Sequence, residues 1–492
     1  MMALSRKHRF LHSACLALLA GLSAVVACER REAPTPAPNV VFIVIDTLRA
    51  DRLGAYGNER GLTPFLDSMA ERGFVFRNAY AQSSWTKPSI ASILTSRFPV
   101  QHGVQSWKAV LPSDEITLPE ILQSIGYATA AFQANILVNA GQGFGQGFAE
   151  YHLYPLKGGR QKGLVEQFHE RAGTLNRDAL AWLVRQKPQV PLFVYLQYME
   201  PHLPWAPPDA ILDRVVGDRP RPDVRRLNAQ FLVARRDPLS PETWDAVRDA
   251  YDAEVMALDR DLEALFAELE KSGFLEHCIV VITSDHGEEL GEHGLAGHGI
   301  SLFNEEIRVP LIVVPPWRQT RVDVDDVASL MDVAPTILAL IGVPAPDAFE
   351  GKILDRVLAG AESIWTVRTL LRVLGMGETR PSSLQRAYSS LTQQEPGGDE
   401  PIPPYNRIVH REALVMGAEK VVRTASDSLA YYRLDEDPTE SDLRAVDGST
   451  RADLRQAMEQ AHQDAGRAAA ASEMQPVSEE MRERLQALGY AH

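Results

Sequence analysis

At 492 residues, with 45% apolar and 23% charged side chains, the chain has ordinary globular composition and length enough for one large core or two unequal ones, so disorder is not its default. Its formal net charge of −15 makes nucleic acid a poor partner, because nucleic-acid phosphates call for basic patches. Three cysteines, two of them in the first 28 residues, exclude a disulfide framework and a four-cysteine zinc site.

Arg6, Lys7 and Arg9 precede an uncharged apolar run from Leu16 to Ala27, too short to span a bilayer, and Cys28 follows it. That is the layout of a secretory signal peptide over residues 1–27. Val25-Val26-Ala27-Cys28 resembles a lipobox, in which small residues admit a lipoprotein signal peptidase and the Cys28 thiol receives the lipid. A simple cleavable signal with an incidental cysteine is the plainer alternative; the position of Cys28 at the expected cleavage point favours the lipid. The expectation is an exported periplasmic or cell-surface lipoprotein, anchored to the membrane through Cys28. Removing residues 1–27, which hold three basic residues and no acid, moves the net charge from −15 to −18. Residues 28–38, with Pro34, Pro36 and Pro38, suit an extended tether.

Three apolar, β-rich runs follow, Val40–Ile45, Leu192–Tyr198 and Ile279–Thr283, separated by stretches of helical periodicity. Helices are predicted over Leu62–Arg72, Pro88–Arg97, Leu118–Ile125, Leu175–Arg185 and Trp244–Ser272; the last aligns Val255, Leu258, Leu262, Leu265 and Phe266 on one face. The alternation predicts an α/β fold with a parallel sheet covered by helices. Past Asp347 the pattern weakens. Arg380–Tyr405 reads as a loop, Ile408–Leu434 as short strands of a small antiparallel subdomain, and 451–492 as a helical tail. The organisation is thus a main body over 39–345 and a carboxyl-terminal subdomain with an inserted loop over 346–450.

Polar residues come directly after the apolar runs: Asp46 after the first, Glu200 and His202 after the second, Asp285 and His286 after the third. Ligands collect at the carboxyl ends of strands in open parallel sheets, so three distant segments deliver acids and imidazoles to one edge. In SSWTKPSIASIL, Thr86 precedes Pro88 at a predicted helix start, where unpaired N–H groups and the helix dipole favour an anion or alkoxide. Alone, this segment is no more than an ordinary helix cap.

IDTLRADRLGAYG, SSWTKPSIASILTSRFPVQHG, LQYMEPHLPW, YDAEVMALDRDLEALF and ITSDHGEELGEHGLAGHGISLFNEEIRVPLIV, in this order and at this spacing, resemble the sulfatase family of the alkaline-phosphatase superfamily. The resemblance is strong over Asn39–Val343 and moderate over YYRLDEDPTESDL, Tyr431–Leu443. It implies the sulfatase-like sandwich, with a large mostly parallel central sheet flanked by helices and a small carboxyl-terminal antiparallel sheet. It also implies that Asp46, Thr86, Asp285 and His286 hold one divalent metal ion (Mn, Zn, Ca or Mg), that Thr86 is the nucleophile, and that His202 and His298 grip the ester oxygens and assist the leaving group. Lys87, Gln133 and Asn135 join His202 and His298 as substrate-binding candidates, Gln133 and Asn135 leaving a strand on one face where arylsulfatases carry sulfate-binding residues.

The departures from the pattern point to the chemistry. Sulfatases mature a Cys or Ser to formylglycine in C/S-x-P-x-R; here the segment is Thr86-Lys87-Pro88-Ser89-Ile90, which cannot be matured that way and lacks the arginine. The usual Asp-Asp pair is Asp46-Thr47. Threonine resembles the phosphonate, phosphodiester, phosphoglycerol and phosphoethanolamine branch. An anionic ester cleaved through a covalent Thr86 intermediate is therefore the leading expectation. Sulfate-ester hydrolysis without formylglycine is the second, and a non-catalytic binding lipoprotein the third.

Overall fold

The computed structural model describes residues 37–154, 157–161, 164–168, 171–233, 239–358, 386–390, 410–424, 428–441 and 448–466. The expected signal peptide, Cys28 and most of the tether lie outside the described residues, as does much of the expected inserted loop. Pro38–His492 form one compact unit. Among the described residues no helix is long and apolar enough to cross a membrane.

In chain order the strands are β1 (Asn39–Ile45), β2 (Phe74–Tyr80), β3 (Ala128–Gln133), β4 (Glu150–Leu153), β5 (Lys157–Gln161), β6 (Leu164–Phe168), β7 (Leu192–Tyr198), β8 (Cys278–Thr283), β9 (Glu289–Leu290), β10 (Ala296–Gly297), β11 (Arg308–Val309), β12 (Leu311–Val314), β13 (Val322–Ser329), β14 (Arg386–Ser390), β15 (His410–Met416), β16 (Glu419–Thr424) and β17 (Leu429–Arg433). The helices that matter below are α1 (Pro64–Ala70), α2 (Thr86–Thr95), α3 (Leu118–Ser124), α4 (Ala172–Val184), α5 (Pro241–Lys271), α6 (Asn304–Ile307), α7 (Val333–Leu340) and α8 (Gly448–Gly466).

β1 is apolar from Val40 to Ile45 because both its faces are covered. Val41, Ile43 and Ile45 pack with Leu258, Leu262 and Leu265 of α5, while Val40, Phe42 and Val44 pack with Ile90 and Leu94 of α2 and Ile337 of α7. Around it runs the central sheet in the order β11-β2-β12-β8-β1-β7-β3-β4, with β13 paired to β2. The β8-β1-β7-β3-β4 stretch is wholly parallel, and β12 joins β8 antiparallel. The mostly parallel, helix-flanked sheet expected from the sequence is therefore present.

Register fixes the working edge. Ile45 lies opposite Tyr198, and Val44 opposite Thr283, so the residues that follow leave the sheet side by side.

A second sheet, β14-β15-β16-β17, is antiparallel. Leu454, Met458, Ala461 and Ala465 of α8, spaced to share one helix face, cover its Leu414, Val421 and Tyr431. One expectation is corrected here: Arg386–Ser390, inside the stretch read as a loop, is an edge strand paired with β15. Its flanks, rich in Pro, Gln and Gly, hide a five-residue strand whose partner lies some twenty residues on, too far for local pattern to reveal.

Candidate active site

Thr86 is the first residue of α2, a helix buried along its entire length, and it enters from an extended Trp85. Its Oγ1 lies 3.2 Å from His286 Nε2, 3.2 Å from Asn135 Nδ2 and 3.5 Å from Asp46 Oδ2. Four segments that are far apart in sequence, following β1, β3 and β8 and opening α2, therefore converge on one hydroxyl. Two further bonds lock them together. Ser89 Oγ donates to the Asp285 carbonyl at 2.6 Å, and Gly299 N donates to the Ser84 carbonyl at 2.8 Å.

Asp46, Asp285 and His286, all fully buried, place one ligand atom each within 4.8 Å of one another. Asp46 Oδ1 and Asp285 Oδ2 are buried with no hydrogen-bond partner. His286 Nδ1 is 2.9 Å from the Gly287 carbonyl, so that nitrogen carries the hydrogen and Nε2 presents its lone pair to the carboxylates. Burial, then the charge of Asp285, pushes Asp46 well above the usual carboxylate range; burial likewise raises Asp285, and pulls the His286 imidazole down to about 4. Two buried acids, each with one unsatisfied oxygen, beside a neutral imidazole fit a divalent cation. Thr47, at φ 57, is a β-branched residue in left-handed backbone. The strain is held by its N–H, 3.4 Å from Asp285 Oδ1, and by its carbonyl, which accepts from Tyr251 Oη at 2.6 Å.

His298 approaches from the other side. Its ring centroid is 4.5 Å from that of His286 and 5.0 Å from that of His202. Its Nδ1 lies 3.0 Å from the buried Glu288 carboxylate, which fixes the ring. His202 sits in the turn after β7, its N–H donating to the Met199 carbonyl at 2.7 Å, with Trp205 Nε1 bracing the same turn through the Pro201 carbonyl.

Not every sequence candidate reaches this cluster in the same way. Asn135 does: Leu137 N donates to its Oδ1 at 2.9 Å, which turns Nδ2 toward Asp46 Oδ2 at 2.6 Å. Gln133 does not; its amide donates to the Val138 carbonyl at 3.0 Å and supports the loop behind Asn135. Lys87 is buried beside Thr86, but Nζ donates to the Trp107 carbonyl at 2.8 Å, and burial draws its ammonium down to about 7. Ile90, where a sulfatase would carry arginine, is packed in the core under β1 and brings no charge. Glu288 went unread in the sequence. Only its spacing ten residues before His298, across the β9–β10 hairpin, could have signalled it.

A family model described as Sulfatase matches residues 38–343. The ulvan-active sulfatase of Formosa agariphila is 26% identical over 363 residues, 69% of this chain and 68% of its own. The multifunctional alkaline phosphatase superfamily protein PehA of Trinickia caryophylli is 26% identical over 409 residues, 66% of this chain and 78% of its own. Among solved structures, the phosphonate monoester hydrolase of Silicibacter pomeroyi superposes with a TM-score of 0.65 at 21% identity, covering 89% of this chain and 99% of that one. With the fold, the convergent acids and histidines and the family match in agreement, this chain belongs to the sulfatase family, a family of ester hydrolases.

Proposed function

We propose that the protein cleaves anionic phosphoesters, of the phosphodiester or phosphonate monoester type, through a covalent intermediate on Thr86. The observation that carries this reading is the Thr86 hydroxyl set 3.2 Å from the His286 lone pair, between buried carboxylates with unsatisfied oxygens. Asp46, Asp285, His286 and Thr86 would hold the divalent cation that sulfatase-family enzymes use. When bound it would lower the pKa of the hydroxyl and neutralise charge on the ester oxygens. Two carboxylates with one imidazole suit Mn²⁺ or Zn²⁺.

Thr86 Oγ1 attacks phosphorus, forming the Thr–O–P bond as the bond to the leaving oxygen breaks in line. Asp46 Oδ2, 3.5 Å from Oγ1, is the carboxylate oxygen placed to accept the departing hydroxyl proton. His298, oriented by Glu288 on Nδ1, delivers a proton to the leaving oxygen through Nε2, and His202 holds a non-bridging oxygen. Water or an acceptor hydroxyl then opens the phosphothreonine.

Relatives that act on sulfate support a second reading, hydrolysis of sulfate esters. Against it stands Thr86 itself, since a sulfated threonine lacks the elimination route open to an aldehyde hydrate. A leader over residues 1–27 and a lipid on Cys28 would place the enzyme outside the cytoplasm on a membrane tether.

The test is turnover by the metal-reconstituted protein on parallel panels of phosphomonoesters, phosphodiesters, phosphonate monoesters and sulfate esters, with the trapped adduct mapped by mass spectrometry. Phosphoester turnover with the adduct on Thr86, lost in Thr86→Ala, is the expected result. Turnover confined to sulfate esters, or full activity in Thr86→Ala, overturns the proposal. A protein that takes up no metal and turns over nothing on these panels overturns the proposal too and leaves the binding-protein reading.

A further inference from the structure

Apart from the Thr86 cluster, Glu289, His293 and Glu305 also bring one ligand atom each within 4.8 Å of one another. His293 Nδ1 lies 3.0 and 3.3 Å from the two Glu289 oxygens and 3.8 Å from Glu305 Oε2. Nε2 is 2.9 Å from the Thr439 carbonyl, so that nitrogen carries a hydrogen and Nδ1 is the one turned to the carboxylates. Phe303 stacks on the ring, centroids 3.6 Å apart, and sets its plane.

Glu305 supplies the independent observation. Its side chain is 7% exposed, and Oε2 is buried without any hydrogen-bond partner although it faces the His293 ring. A buried carboxylate oxygen without a donor is costly, and a cation seated between Glu305, Glu289 and His293 is the partner that would satisfy it. Donor atoms held ~2.1 Å from a tetrahedral ion lie roughly 3.4 Å apart. The spacings at His293 straddle that value, as do those of 3.2, 3.6 and 3.8 Å from His286 Nε2 to Thr86, Asp285 and Asp46.

The geometry points to a second divalent-cation site, built from Glu289, His293 and Glu305 and suited to Zn²⁺ or Mn²⁺. Its role is structural. Glu289 opens the β9–β10 hairpin that leads into His298, Glu305 lies on α6, and Thr439 belongs to the segment after β17. One ion therefore pins the approach to His298 against α6, while the His293 Nε2 contact with the Thr439 carbonyl ties the same ring to the segment after β17.

The full chain, stripped with chelator and titrated separately with Zn²⁺ and Mn²⁺, should take up two equivalents by elemental mass spectrometry. Glu305→Gln and His293→Gln should each remove one equivalent, Asp285→Asn should remove the other, and the Glu305→Gln/Asp285→Asn double variant should bind none. A single equivalent in the parent, lost in Asp285→Asn and kept in Glu305→Gln, overturns the second site and leaves the Thr86 site standing. Two equivalents retained by both Glu305→Gln and His293→Gln also overturn it. Should those variants fail to fold, anomalous scattering from a Zn²⁺-loaded crystal of the parent decides the matter by a peak, or none, at Glu305 Oε2.

Discussion

Asn135 is the residue whose removal tests the reading of the nucleophile most sharply. Its Nδ2 donates at 3.2 Å to Thr86 Oγ1 and at 2.6 Å to Asp46 Oδ2, and the Leu137 N–H holds the amide in that orientation. Truncation to alanine deletes a hydrogen bond to a buried carboxylate, worth about 1.5–3 kcal/mol. If that energy is felt at the transition state, kcat/KM falls roughly 10- to 150-fold, by the tenfold per 1.36 kcal/mol relation. KM should move little, because the lost contact is to the nucleophile and not to substrate. Asn135→Asp makes a contrasting case: it removes the donor to Thr86 and sets a third carboxylate against Asp46. That variant should hold its divalent cation more tightly, yet turn over anionic substrate more slowly than the alanine variant does. The assay is steady-state kinetics on the best phosphoester, alongside cation titration of each variant. A wild-type kcat/KM in Asn135→Ala would refute the claim that this amide positions Thr86, as would faster turnover in Asn135→Asp.

Glu288→Gln keeps the contact to His298 Nδ1 but removes the charge; kcat should fall about tenfold with KM little changed, while Glu288→Ala should lose more. Gly287→Ala should abolish both cation binding at Asp285 and activity, because a Cβ there collides with the Glu305 carbonyl and forces apart the 2.7 Å Gly287 N to Glu306 O bond. A fall in melting temperature corresponding to about 1–3 kcal/mol should accompany it. Asp259 is carried up to about 7 by burial, against the Leu66 and Phe65 N–H groups that pull it down. A carboxyl with a folded pKa above its unfolded value binds protons more tightly when native, so its contribution is present in acid and lost as pH climbs from ~4 toward 7. Urea midpoints should therefore fall across that window, and Asp259→Asn should flatten the slope.

Which parts of this arrangement the sequence carried follows from how each element is buried. β1, β7 and β8 are covered on both faces and read as near-continuous apolar runs, so the acids and imidazoles that end them were found where the register places them. β2 was not legible: Arg77 and Asn78 break its apolar run, and only the fold shows them half-buried, with their heads on the Ala55 and Asp325 carbonyls. β12, at four residues, is as short as a core-packed loop. Asn135 could be placed on the correct face by strand periodicity, but not its rotamer, which depends on the Leu137 N–H; Gln133, two residues earlier, turns instead to Val138.

The acidic run Glu288-Glu289-Leu290-Gly291-Glu292 marks the deeper limit. By charge alone it is a solvated turn, the commonest fate of three clustered carboxylates. In the fold each acid meets a different basic side chain: Glu288 meets His298, Glu289 meets His293, and Glu292 meets Arg49. Pairing of this kind is set by the hairpin's path over α5, where Gly291 leaves no room for a side chain against Trp244. A run whose residues diverge to three partners carries no single periodicity, so its chemistry becomes readable only once the backbone has been placed.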